Sequence, residues 1–121
     1  MTNAARSSLV FGIYLTGTAI MLVAAPNVLI GTIGMAPTSD SWIHVLGIVV
    51  GSLGAYYIVA ARANLVPFFH ATVWVRIIVL AGFSALALLE MAPMRLILFG
   101  VVDALGAIWT WMALRSDAKG A

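Results

Sequence analysis

The chain has no cysteine and very little charge: among 121 residues there are six Lys or Arg, four Asp or Glu and two His. Without cysteine there is no disulfide framework, no thiolate metal site and no thiol nucleophile, and nothing reports on the redox compartment. The shortage of charge excludes more. Soluble domains are about a quarter charged and about 45–50% apolar, whereas this chain is 8% charged and 64% apolar. It cannot clothe a water-facing surface in polar groups. The same figures exclude a disordered chain, which is polar and highly charged. Nucleic-acid binding needs cations gathered on one face, and a net charge of +2 spread along the chain offers no such cluster. Also missing are a glycine-rich phosphate loop, a His-x-x-Glu-His pair, a nucleophile elbow and the polar–apolar alternation of barrel strands.

What is present is apolar length. Four runs, at about residues 9–30, 42–61, 71–92 and 96–114, each approach the roughly 20 residues that cross a bilayer as a helix. In hydrocarbon the backbone must satisfy its own hydrogen bonds, so all four are expected to be helices. The predicted fold is all-α: one integral membrane domain over residues 1–121, a four-transmembrane-helix bundle. Pro26 followed by Asn27 weakens the first helix, in which case residues 28–35 become a short interfacial segment. Arg6, the run and Val23-Ala24-Ala25 resemble a signal peptide, but Pro26 would follow the cleavage bond, so the run is read as a retained helix. Arg6, Arg62, Arg76, Arg115 and Lys119 fall on one side of this topology and only Arg95 on the other. Cation-rich short loops stay inside, which places both termini in the cytoplasm and the protein in the inner (plasma) membrane. The loops are too short to form a domain, and no internal repeat supports a transporter core.

Helices in lipid pack through small residues. Gly47, Gly51 and Ala55 recur every four residues in the second run, with Gly54 beside them; this seam is either packing within one chain or a homodimer face. Ala81, Gly82, Ser84 and Ala85 in the third run, and Gly100, Ala104, Gly106 and Ala107 in the fourth, are further expected contact faces. Trp42, Trp74, Trp109 and Trp111 lie mostly near span ends, where amphipathic rings favour the interface.

An ionisable group inside a span is a functional hypothesis by default. There are three here. Asp103 sits near the middle of the fourth run, sharing a helical side with Gly100, Gly106, Ala107 and Thr110, so its carboxyl is expected to point inward, held by a hydroxyl such as Ser84 or Thr110 or free to anchor a ligand or carry a proton. Arg76 falls at the depth of Tyr14, Tyr57 and Trp111, an aromatic set able to hold a guanidinium by cation–π contact; the alternative is snorkelling to lipid phosphate. A direct Arg76–Asp103 pair would span about 12 Å, eight residues of helical rise, and would need a bridge. Glu90 falls at the depth of His44 and near Arg95 and Asp40, an expected outer polar cluster. One His and two carboxylates without motif spacing fit a salt-bridged helix end better than a metal site. His44 and His70 lie at opposite faces and cannot share one haem iron. No metal or cofactor is expected.

Pro26, Trp42-Ile43-His44-Val45-Leu46-Gly47, Tyr56-Tyr57 with Ala60-Ala61-Arg62, Thr72-Val73 with Arg76, and Asp103 with Gly106-Ala107-x-Trp109-Thr110 together resemble small four-helix bacterial membrane proteins loosely comparable with the DoxX-like group. Helix 1 lacks the Arg-Gly entry pattern associated with DoxX itself. The resemblance implies a four-helix bundle and no chemistry. Three functions then compete. The first is a bundle that binds a lipophilic ligand, lipid-like or quinone-like, or that supports a partner or a second copy. The second is a proton-coupled small transporter or channel, a dimer working through Asp103 and Arg76. The third is an intramembrane isomerase with Asp103 or Glu90 as general acid; an enzyme is the less favoured expectation.

Overall fold

A computed structural model describes residues 1–120. All regular structure among them is helical: α1 (Asn3–Ala24), α2 (Pro26–Thr32), α3 (Trp42–Arg62), α4 (Val66–Leu88) and α5 (Leu96–Gly120). Four of these, α1, α3, α4 and α5, are long and apolar enough to cross a membrane.

The helix ends follow from local chemistry. α1 starts at Asn3 rather than at Leu9 because its first amides find acceptors. The Ala5 N–H donates to Thr2 Oγ1 (3.1 Å), and the Asn3 and Ala4 N–H groups donate to the Asp117 carboxylate (3.2 and 3.0 Å). A negative charge there also complements the helix dipole. α1 stops at Ala24: Ala25, forced out of the helical region by the proline ring that follows it, has φ −144° and ψ 62°, and Pro26 opens the seven-residue α2. α4 likewise begins earlier than residue 71, with Pro67 in its first turn, a place where a missing N–H costs nothing.

The C-terminal ends of α2, α3 and α4 close by one device. Behind α2, α3 and α4 a residue with positive φ, Gly34 (80°), Asn64 (50°) or Glu90 (59°), lets the chain turn back. Met35, Leu65 and Met91 then donate to Ile30, Ala60 and Leu86 carbonyls at 2.9–3.1 Å, the six-to-one bond of a Schellman cap. Glycine or asparagine is usual there, so glutamate at position 90 is the odd member.

α1 is central. It packs against α3 along its length and against α5, and α5 packs against α4. α3 and α4 hardly pack on each other, although Tyr57 meets Phe68 edge-on near their joined ends, ring centroids 5.1 Å apart. Both termini and the α3–α4 turn share one end of the bundle, tied by Thr2 Oγ1 donating to Asn64 Oδ1 (2.9 Å) and by the Asp117 cap.

The α1–α3 contact accounts for the glycine seam. A Cβ at Gly47 would come within 2.9 Å of the Leu22 Cβ, and one at Gly54 within 2.8 Å of Thr16 Oγ1 and 3.0 Å of the Gly12 carbonyl oxygen. Gly47 is buried and a Cβ on Gly51 would meet the Ala19 Cβ at 3.3 Å, while Ala55 is exposed. Within this chain α1 covers Gly47 and approaches Gly51, which is the packing alternative for the stripe. The expected contact face of the third span is corrected. Ala81, Gly82 and Ala85 are exposed, because α4 turns Thr72, Arg76 and Ala87 inward instead. The outer surface is a continuous display of Ile, Leu, Val and Trp, with Trp74 71% exposed. A patch of that extent is suited to hydrocarbon, not water.

Candidate functional site

Five polar side chains are buried: Ser7 and Ser8 on α1, Thr72 and Arg76 on α4, and Thr110 on α5. They meet in the half of the bundle nearer the termini, and Arg76 joins most of them. It is 2% exposed, so it does not snorkel to the lipid surface. Its side chain turns back along α4, as helical side chains tend to. Nε donates to the Thr72 carbonyl (3.2 Å) and Nη2 to Thr72 Oγ1 (3.1 Å) and Thr110 Oγ1 (2.8 Å). The Thr110 hydroxyl in turn shares a 2.9 Å bond with Ser7 Oγ and lies 3.1 Å from the Gly106 carbonyl. Ser7 donates to the Ala4 carbonyl (2.7 Å), and Ser8 donates to the Tyr57 carbonyl of α3 (3.0 Å). Hydroxyls thus link α1, α4 and α5 to one guanidinium, and Ser8 beside them ties α1 to α3.

Aromatic rings complete the enclosure. The guanidinium carbon stands 4.5 Å from the Phe11 ring centroid and 5.6 Å from that of Tyr57, contacts of a kind worth about 2 kcal/mol when desolvated. Because the side chain doubles back toward Thr72, it meets Phe11 and not Tyr14. Tyr14 is one step removed, its ring 5.6 Å from Phe11. Trp111 is outside the site. Successive residues on a helix point about 100° apart at 3.6 residues per turn, so an inward Thr110 leaves Trp111 facing out, 48% exposed with Arg115 over its ring at 4.9 Å.

One donor is left over. Arg76 Nη1 is buried and has no hydrogen-bond partner. It lies against Gly106: a Cβ there would stand 3.1 Å from it, a tight contact. Asp103 is one turn back along α5 from Gly106, half-buried and without a hydrogen bond among the described residues. No direct Arg76–Asp103 pair forms; the arginine's bonds go to the two threonines. Neither Ser84 nor Thr110 holds the Asp103 carboxyl.

Of the expected outer cluster, the structure shows the positions and no bonds between members. Asp40, His44, Glu90 and Arg95 are all exposed, and no hydrogen bond joins any two of them among the described residues. Glu90 serves the backbone, closing α4 at positive φ, and Arg95 lies along Gly34, its Cδ 3.6 Å from where a Cβ would be. Among the described residues no three His, Cys, Asp or Glu side chains gather as metal ligands.

Sequence reasoning missed Phe11, Thr72, Ser7 and Ser8. Thr72 was within reach, since it sits four residues before Arg76 on the same helical side. Ser7 and Ser8 were not, because helix α1 extends further toward the terminus than its apolar run.

No family model, curated protein or solved structure matches the chain. The class the fold defines is that of small all-helical proteins with four candidate membrane spans, and the residues alone carry any further reading.

Proposed function

We propose that this is a multi-pass inner-membrane bundle, both termini cytoplasmic, that binds a lipophilic ligand through an oxygen acceptor on its head group. The orientation is supported by Arg6, Arg62, Arg115 and Lys119 at the end bearing the termini, against Arg95 at the other. The observation that carries the binding reading is the buried, unpartnered Nη1 of Arg76. An arginine inside a span is expensive, and a buried donor left unmatched costs about 1–3 kcal/mol. A carbonyl or carboxylate oxygen at Nη1 would remove that penalty, with Asp103 one turn away to select the head group. Lateral entry from the lipid is favoured by the poor packing of α3 against α4. A lipid-like or quinone-like molecule has this chemistry, and the DoxX-like resemblance adds no residue role to it.

The test is mild extraction of the full chain, followed by mass spectrometry of lipids and quinones that co-purify. A stoichiometric lipophilic molecule is expected from the wild type and is lost from Gly106→Val, which crowds Nη1 and the Phe11 ring while keeping the arginine. An empty wild-type bundle refutes the reading.

The rival, a proton-coupled transporter or channel, keeps one observation in its favour: Asp103 is half-buried at mid-span with no bond among the described residues. It requires pH-dependent flux in liposomes that Asp103→Asn abolishes.

A further inference from the structure

At the end bearing the termini, the first turns of α4 and the last turns of α5 leave a hollow of about 280 Å³ lined by His70, Val73, Trp74, Trp111, Leu114 and Arg115. Its chemistry changes across its width. Half-buried Val73, packed against the core, and exposed Trp74 form its apolar part; Arg115 and His70, both exposed, form its polar edge. The Arg115 guanidinium lies over the Trp111 ring at 4.9 Å, which fixes its plane and leaves its N–H edge available. No hydrogen bond of Arg115 is made among the described residues. The acidic residue that could neutralise it, Asp117, is already engaged with the first amides of α1. The remaining acids of the chain, Asp40, Glu90 and Asp103, belong to the opposite end or to mid-span. Asp117 keeps its negative charge there, so this end carries an excess of positive charge: Arg6, Arg62, Arg115 and Lys119 against one acidic side chain.

We infer that this hollow seats the head group of an anionic phospholipid, with the phosphate on Arg115 and His70 and the acyl chains running along Val73 and Trp74. Three features converge on that occupant. The guanidinium fork matches phosphate oxygens in pairs. Tryptophans that are half-apolar and half-polar belong at head-group depth. The volume is slightly below the roughly 300–1,000 Å³ of pockets that engulf whole ligands, enough for a head group whose tails stay outside. The inference rests on the membrane reading of the four spans and is independent of any ligand at Arg76.

The experiment is native mass spectrometry of the full-length protein released from micelles containing phosphatidylglycerol or phosphatidylcholine. The wild type should retain phosphatidylglycerol in preference. A direct hydrogen bond from a charged group is worth at least about 1.5 kcal/mol, so Arg115→Gln should weaken retention about tenfold. Arg62→Gln, at the same end but outside the hollow, should leave it unchanged, and Trp111→Leu, which keeps the charge but removes its platform, should fall between. Unchanged helicity by circular dichroism confirms that these exposed substitutions leave the fold intact. Equal retention of the two lipids overturns the inference, as does an equal loss in Arg115→Gln and Arg62→Gln, which would mean a diffuse surface field. Complete displacement by inorganic phosphate also overturns it, because the tails would then contribute nothing.

Discussion

Replacing Thr110 by valine keeps the side chain's shape and removes one hydroxyl, so it tests whether the Arg76 network holds the bundle together. That hydroxyl accepts from Arg76 Nη2 at 2.8 Å, bonds to Ser7 Oγ at 2.9 Å and lies 3.1 Å from the Gly106 carbonyl. A hydrogen bond to a charged group contributes about 1.5–3 kcal/mol in proteins generally. Interhelical bonds in a membrane average about 0.6 and reach about 1.7 kcal/mol, because the unfolded chain in lipid also finds partners. Nη2 keeps a second acceptor in Thr72 Oγ1 at 3.1 Å, which argues for the lower half of the first range. The bond to Ser7 adds a smaller amount. Together these give about 2 kcal/mol, or about thirtyfold in the folded-to-unfolded ratio. The assay is reversible unfolding in mixed micelles by titration with a denaturing detergent. Thr18→Val is the control, since its hydroxyl bonds only to the Tyr14 carbonyl of its own helix (3.0 Å) and its loss should stay within about 0.5 kcal/mol. If Thr110→Val unfolds within that margin of Thr18→Val, the network is incidental to stability.

The α1–α3 seam should not tolerate a single methyl: Gly54→Ala places a Cβ 2.8 Å from Thr16 Oγ1 and 3.0 Å from the Gly12 carbonyl oxygen, and in the same assay it should destabilise by about 1–3 kcal/mol. Gly82→Ala, with nothing within 4 Å of the new Cβ, should instead be neutral or stabilise by up to about 1 kcal/mol through helix propensity; reversal of this order would refute the packing described. Glu90→Gly should raise stability by about 1 kcal/mol, because glycine adopts the φ of 59° without the strain a Cβ brings, and a loss on this change would mean that the Glu90 side chain has a partner after all.

The sequence and the structure agree where a single strong cause acts. Apolar length and scarcity of charge are enough to specify four helices, and Pro26 alone is enough to break the first at Ala24. They part where two causes of similar strength compete. The stripe Gly47, Gly51, Ala55 is equally good for a neighbouring helix of the same chain or of another, and only the path of α1 shows what the chain itself lays against it; likewise nothing in Ala81, Gly82 and Ala85 says that α4 will turn its arginine inward and its small residues out. The early start of α1 depends on Thr2 and on Asp117, a residue 113 positions from the Ala4 amide it accepts from, which no local pattern reveals.

The same reasoning separates Arg76 from Asp103. Matching depths along straight helices put Arg76 level with Tyr14, but a long side chain has its own reach, and doubling back toward Thr72 brings the charge to Phe11, Tyr57 and Thr110 instead. Arginine gains from this because its five donors can be shared among hydroxyls and carbonyls on different helices, whereas a carboxylate needs donors, and the buried hydroxyls near it are already committed to Arg76 and to backbone carbonyls. The bundle therefore has its donors and acceptors mismatched in one place: an arginine N–H without an acceptor and, one turn along α5, a carboxyl without a donor. A molecule able to accept from one and donate to the other would complete both, and a hydroxyl-bearing quinone head group has that pair of functions on adjacent carbons.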